Sequence, residues 1–128
     1  MHSEQEKANL RLVERVYEEV LGPIDSNAVE ALFLESYIQH NPSIESGRQP
    51  LKEMLDRAKI RVPHAEHRVK CMIADGDMVA AHVHLIFEPG TPGLAVVDWF
   101  RIENGKIAEH WDVAQPVNTE PKNDNTMF

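Results

Sequence analysis

A chain of 128 residues has room for one domain with one hydrophobic core, not two. Its net charge is -8 and it has no basic run, which speaks against nucleic acid or an anionic membrane as partner. No apolar run approaches the roughly 20 residues of a membrane-spanning helix, and the single cysteine, Cys71, excludes an intramolecular disulfide. Residues 1–7 are polar with no apolar segment after them, so no secretory signal is read, and a reducing cytoplasm is the expected compartment. A small or neutral ligand is left by elimination.

Ser3 and Glu6 fit a capping box for a first helix. Leu10, Val13, Tyr17 and Val20 form its apolar stripe, with Leu12 and Val16 widening it, and Gly22-Pro23 stops it. Asp25 or Ser26 caps a shorter helix with Val29, Leu32 and Phe33 on one side. Tyr37-Ile38-Gln39-His40 reads as a short strand ended by Asn41-Pro42. Pro50 suits the first turn of a third helix, in which Leu51, Met54, Leu55 and Ala58 share a face and which ends before Pro63.

From there the pattern alternates. His67, Val69, Cys71 and Ile73 share one strand face, so Cys71 reads as a core residue; His64 and His67 receive no role. Asp75-Gly76 is a hairpin turn. The next strand carries Met78, Ala80, His82, His84 and Ile86 on one face and Val79, Ala81, Val83, Leu85 and Phe87 on the other. Both faces are largely apolar, so both are expected to be covered. A loop rich in glycine and proline leads to a last hairpin around Asn104-Gly105, the strongest short-range signal for a two-residue type I′ turn. Residues 1–116 are read as one domain and 117–128 as a flexible tail ending in Met127-Phe128. The fold class is α+β: three amino-terminal helices packed on a curved, mainly antiparallel sheet, with a cavity between helices and concave face.

The last hairpin carries an oddity. Asp98 shares its face with Val96, Phe100 and Ile102, where a carboxylate is costly unless partnered. Ala108, His110 and Asp112 share a face of the following strand. With a strict two-residue turn, Asp98 would face Trp111, and Asp98 and Asp112 would lie on opposite sides of the sheet. A bulged loop with Gly105 in the left-handed region shifts the parity by one. That reading is preferred, because it gathers Asp98, Phe100, His110 and Asp112 and sends Trp99, Arg101, Glu109 and Trp111 the other way. In a water-poor cavity such a carboxylate pair, or Asp-His pair, supports acid or base chemistry near neutrality. The competing reading is two rim aspartates satisfied by backbone N–H groups.

His82-Val83-His84 puts two imidazoles on one face, and His40, His110 or Asp112 could complete a metal site. A His-x-His pair alone is weak, and no metal or cofactor is assigned. His40-Asn41-Pro42 ends a strand, where polar side chains project into a cavity mouth or simply make a turn. The Tyr17 hydroxyl reaches into the cavity or is satisfied at the core's edge. Trp99 and Trp111 mark the outer face as a surface for a homodimer.

Three stretches together resemble the SnoaL-like polyketide cyclases and their small bacterial relatives described as aldol-condensation enzymes. They are Tyr37-Ile38-Gln39-His40-Asn41-Pro42, His82-Val83-His84, and the run from Val97 through Asp98, Asn104-Gly105, His110 and Asp112 to Val113. Asp-x-Phe-Arg and Glu-His-Trp-Asp are the most specific pieces. The resemblance implies a cone-shaped barrel of the superfamily that includes nuclear transport factor 2 (NTF2) and ketosteroid isomerase. It further implies a metal- and cofactor-free lyase or isomerase acting beside a carbonyl group. Asp112 would be the acid/base, with Asp98 and His110 orienting it and His40, Asn41, His82, His84 and Tyr17 binding substrate. Asp98 matches the aspartate that ketosteroid isomerase keeps protonated as an oxyanion donor. That isomerase's base falls at Asn41, which cannot act as one, so the same steroid chemistry is not expected. The alternative is a non-catalytic ligand-binding or dimerisation module on the same fold.

Overall fold

The computed structural model describes residues 1–128. Helix α1, Glu4–Arg15, starts at the capping box: Ser3 Oγ accepts from the Glu6 N–H, and Glu6 Oε1 accepts from the Ser3 N–H. The helix then widens into a π-helical segment, Val16–Leu21. Its wide turns close through Gly22 N–H to Tyr17 O at 2.8 Å and Asp25 N–H to Val20 O at 2.9 Å. A Cβ at Gly22 would stand 2.6 Å from the Tyr17 carbonyl oxygen, so any other residue forces the turn to move. Gly22→Ala is expected to destabilise the fold by about 1–3 kcal/mol, read as a lower urea midpoint at unchanged m.

Asp25 caps a 3-10 turn, Ser26–Ala28, which runs into the short helix α2, Val29–Leu32. Phe33, expected on that helix, instead opens strand β1, Phe33–Gln39. Its ring meets Tyr37 edge-on at 5.0 Å, and that buried aromatic packing overrides the helical spacing. Helix α3 spans Arg48–Arg61 and stops before Pro63. Strands β2 (Glu66–Asp75), β3 (Met78–Ile86), β4 (Leu94–Glu103) and β5 (Lys106–Pro116) form an antiparallel meander. Strand β1 adds beside β5 in parallel, giving the sheet order β1-β5-β4-β3-β2. The α+β architecture with a curved, mainly antiparallel sheet is as the sequence predicts. No helix is long and apolar enough to cross a membrane.

Two bulges decide which side chains face inward. In β2 the pairing jumps from Val69–Val83 to Cys71–His82, leaving Lys70 unpaired. Parity changes there. His67 faces inward before the bulge, and Met72 and Ala74 pack toward the core after it, so Cys71 and Ile73 are exposed. Cys71 is therefore not the core residue expected from unbroken alternation. The second bulge, in β5, builds the site described below. On β3 the inner face is Val79, Ala81, Val83 and Leu85. These pack with Val96, Phe100, Ile102 and Ile107 against the stripe Leu12, Val13, Val16, Tyr17 and Val20 of α1 and its extension, and against Leu51 and Leu55 of α3. The start of α1 is tied to the β2–β3 turn. Asn9 Nδ2 donates to Gly76 O at 3.1 Å, and Gly76 N–H donates to Glu6 Oε2 at 3.0 Å.

The tail lies back over the outer face. Phe128 stacks on His84 with centroids 4.4 Å apart and leans on His82 at 5.3 Å, while Lys70 Nζ sits 5.6 Å from its ring centre.

Candidate active site

A cavity of about 320 Å³ opens between the concave face and the helices. Of its 24 lining residues 18 are hydrophobic and none is lysine or arginine, so the cavity offers no cation to an anionic ligand. Its polar side chains are Gln39, Asn41, His67, Asp98, His110 and Asp112, with Tyr37 among the walls.

The hairpin builds the centre of this set. Asn104 and Gly105 have φ of 52° and 71°, the type I′ turn that Asn-Gly predicts. Glu103 pairs with Lys106 and Ile102 with Ile107, but the next pair is Arg101 with Glu109, so Ala108 is the bulged residue. The parity change expected at Gly105 thus occurs inside the strand. Its consequence is as expected: Asp98 stands directly opposite Asp112, and Phe100 opposite His110. The rim reading, with both aspartates held by backbone N–H groups, does not describe them. Asp98 is only 7% exposed and is held by side chains.

The protons in this cluster can be traced from fixed donors. The Asn41 backbone N–H donates to Gln39 Oε1 at 3.1 Å, which fixes that atom as the amide's oxygen. His110 Nδ1 lies 2.7 Å from the same oxygen, so Nδ1 carries a hydrogen. His110 Nε2 then faces Asp98 Oδ1 at 2.9 Å across a shared proton. The other oxygen of Asp98 accepts from the Tyr17 hydroxyl at 2.5 Å. Burial first, then the Asp98 charge, pushes the Tyr17 phenol far above its ordinary range, so it stays a donor. Gln39 Nε2 donates to the Tyr37 hydroxyl at 2.9 Å, whose own hydrogen goes to no protein atom.

Asp112 is held differently. Asn41 Oδ1 accepts from the Ser43 N–H at 2.9 Å, which turns its Nδ2 toward Asp112, at 2.8 Å from Oδ2 and 3.1 Å from Oδ1. His110 Nε2 is 3.9 Å from Asp112 Oδ2, beyond a hydrogen bond. The remaining lone pairs of Asp112 are uncommitted within the protein. Asp98, His110 and Asp112 each offer one ligand atom, all within 4.8 Å of one another, a spacing that could seat a cation. Hydrogen bonds within the protein already engage the facing atoms of Asp98 and His110.

Four of the residues read as substrate-binding do not line the cavity. In β1 and just beyond it, Tyr37, Gln39 and Asn41 point inward, so His40 falls on the outer face. It stacks on Trp111 at 4.7 Å and bonds Glu109 at 2.6 Å. His40, then Arg101, holds the Glu109 carboxyl below its usual range. His82 and His84 lie on the outer face of β3 beneath Phe128, so they cannot share a metal or a substrate with His110 and Asp112. Tyr17 stands behind Asp98 as its donor rather than on the cavity wall. Asn41, Asp98, His110 and Asp112 are brought together.

Tyr37, Gln39 and His67 were missed. The alternation Tyr37, Gln39, Asn41 was the available signal for the first two. For His67 the bulge at Lys70 hid which end of the strand turns inward. Burial pushes His67 below the ordinary histidine range, an effect the Asp98 charge partly offsets. A histidine that folds neutral takes up its proton more readily when unfolded. Its stabilising share is therefore intact above about pH 6.5 and lost as the pH falls toward the lower folded-state value. His67→Phe should flatten that decline: between about pH 7.5 and 5.5 the wild-type Tm should fall further than the variant's.

The sequence model of the family described as SnoaL-like domain matches residues 13–110. No curated protein sequence matches the chain. Among solved structures, a candidate polyketide cyclase from Bacillus cereus ATCC 10987 superposes with a TM-score of 0.75 at 18% identity, over 88% of this chain and 78% of that one. A candidate SnoaL-like polyketide cyclase from Jannaschia sp. CCS1 gives 0.74 at 19% identity, over 89% and 90%. A candidate isomerase of the SnoaL-like family from Agrobacterium tumefaciens C58 gives 0.71 at 15%, over 85% and 98%. Likeness at such identities establishes the fold, and the family match runs from the last turn of α1 through the sheet to His110 in β5. The chain belongs to the SnoaL-like domain family.

Proposed function

We propose that this protein is a cofactor-free acid/base catalyst acting beside the carbonyl group of a neutral small molecule, with Asp112 as the base. One observation carries the reading. Of the two cavity carboxylates, Asp98 has both oxygens engaged by Tyr17 and His110, whereas Asp112 keeps lone pairs free and touches only Asn41 and, at longer range, His110. Asp112 takes a proton from the carbon beside the carbonyl, and the C–H pair moves into the enolate. The Tyr37 hydroxyl donates its unused hydrogen to the enolate oxygen, a role supported by its lining the cavity with no protein acceptor. In an aldol-type closure the enolate carbon bonds a second carbonyl carbon of the same molecule. The alkoxide so formed takes the proton back, and Asp112 is regenerated. In an isomerisation the proton returns to another carbon. The polyketide cyclase and isomerase names of the structural relatives fit either outcome. The apolar walls and the lack of a cation favour an uncharged substrate.

The test needs no knowledge of the natural substrate. Neutral cyclic ketones such as 2-tetralone are held in deuterated water, and loss of the α-proton signal is followed by NMR with wild type and with Asp112→Asn. A ligand-binding module, the alternative reading, gives no exchange above the uncatalysed rate with either protein.

For the outer face we propose a second copy of this chain. Trp99, Val113 and Ile38 are exposed there at 43%, 67% and 41%, more apolar surface than a solvated sheet face needs. Sedimentation equilibrium should show a dimer that Val113→Asp converts to monomer. A wild-type monomer at millimolar concentration would end this proposal.

A further inference from the structure

We infer that His67 contacts the substrate, its Nε2–H donating a hydrogen bond to the carbonyl oxygen of a neutral, mainly apolar ligand, across the cavity from Asp112. The inference rests on the carbonyl chemistry proposed above and adds a residue to it. His67 sits near the start of β2, on the inward side of the Lys70 bulge, and lines the cavity. It is three strand spacings from Asp112, about 14 Å along a flat sheet. Both residues nevertheless line the one cavity. The His67 ring lies 6.2 Å from the Tyr17 ring, whose hydroxyl rests on Asp98. His67 therefore faces the acid cluster rather than trailing away from it.

The two ring nitrogens differ. Nδ1 is sealed and has no hydrogen-bond partner. A neutral imidazole carries one hydrogen, and placing it on Nδ1 would bury a donor with nothing to receive it, which costs more than burying a bare lone pair. The hydrogen belongs on Nε2. That nitrogen likewise bonds no protein atom but, unlike Nδ1, is not sealed. A histidine kept purely for packing would be expected to pair its polar atoms with backbone or side chains; this one pairs neither. A neutral N–H suits a carbonyl oxygen: it polarises the ground state modestly and strengthens as negative charge grows on that oxygen, with no permanent cation to hold an anionic product. Desolvation of the ring keeps it neutral.

Benzophenone tests this directly, because it is a neutral aromatic ketone without an α-hydrogen and cannot report on Asp112 as a base. Wild type should bind it saturably, with the carbonyl stretching band moved to lower frequency. His67→Phe should bind about tenfold more weakly, as expected for one lost hydrogen bond, with the band back at its position in apolar solvent. His67→Gln, which restores a donor, should recover most of the band shift. Because benzophenone has no α-hydrogen, its band reads His67 alone, while the base assignment is read from α-proton exchange, so failure of the one and failure of the other are separate results. Nitrogen NMR of the unliganded wild type should place the imidazole hydrogen on Nε2. An unchanged band in His67→Phe, no saturable binding by wild type, or a hydrogen found on Nδ1 would each overturn the inference. Should His67→Phe fail to fold, the band in His67→Gln and the wild-type tautomer still decide it.

Discussion

Asp112→Asn should abolish α-proton exchange while leaving the fold intact. Loss of a positioned general base lowers the rate by about 10²–10⁴, a range that would bring exchange near the uncatalysed background. The folded state has little reason to suffer. Asp112 is half-buried, and its hydrogen bonds come from Asn41 alone, whose Nδ2 can donate equally to an amide oxygen. The urea midpoint should therefore stay level. Exchange that persists at the wild-type rate would remove Asp112 from the chemistry. A collapse in stability would mean that its role is to hold Asn41 and the chain after β1.

The charge arrangement around Asp112 depends on a feature no residue type announces. Asn104-Gly105 declares its turn, because both residues must take positive φ, and the structure shows that turn. Nothing in Ile107-Ala108-Glu109 declares a bulge. Ala108 is small and buried, and Ile107 beside it is buried too, which two neighbouring residues of a regular strand facing one core cannot both be. The demand for a bulge was legible only indirectly, through the implausibility of Asp98 and Asp112 on opposite faces. Its position was not. The same holds for β2, where an unmarked bulge at Lys70 reversed the expected places of Cys71 and Met72 and concealed His67.

The helices were more legible, since capping boxes and apolar stripes are local. The misplacement of His82 and His84 has another cause. Strand β3 carries apolar side chains on both faces, so alternation fixes two faces without saying which is inner. Packing decides it: Val79, Ala81 and Val83 meet the helices, and the histidines are left to the outer face and Phe128. For His40 the error was one residue of parity. Tyr37 and Gln39 are buried, and the imidazole between Gln39 and Asn41 must then point away.

The proton assignment around His110 makes its own prediction at Asp98. With Nδ1–H fixed on Gln39 Oε1, Nε2 is free to accept, and Asp98 stands between that nitrogen and the Tyr17 hydroxyl. Asp98→Asn can satisfy both neighbours: its Oδ1 accepts from Tyr17, and its Nδ2 donates to His110 Nε2. The variant should lie within about 1 kcal/mol of wild type. Asp98→Ala leaves the Tyr17 hydroxyl and His110 Nε2 facing an empty, buried volume, and should cost about 3–5 kcal/mol in urea denaturation. The contrast between the two is the informative quantity. A neutral His110 accepts an amide as readily as it accepts a protonated carboxyl. An imidazolium would instead need the carboxylate's charge, and its second N–H would clash with the amide's hydrogens. Equal, large losses in both variants would therefore show that His110 is folded as a cation. The hydrogen shared with Asp98 would then belong to the histidine, and Asp98 would act as a fixed anion rather than as the donor to His110 Nε2.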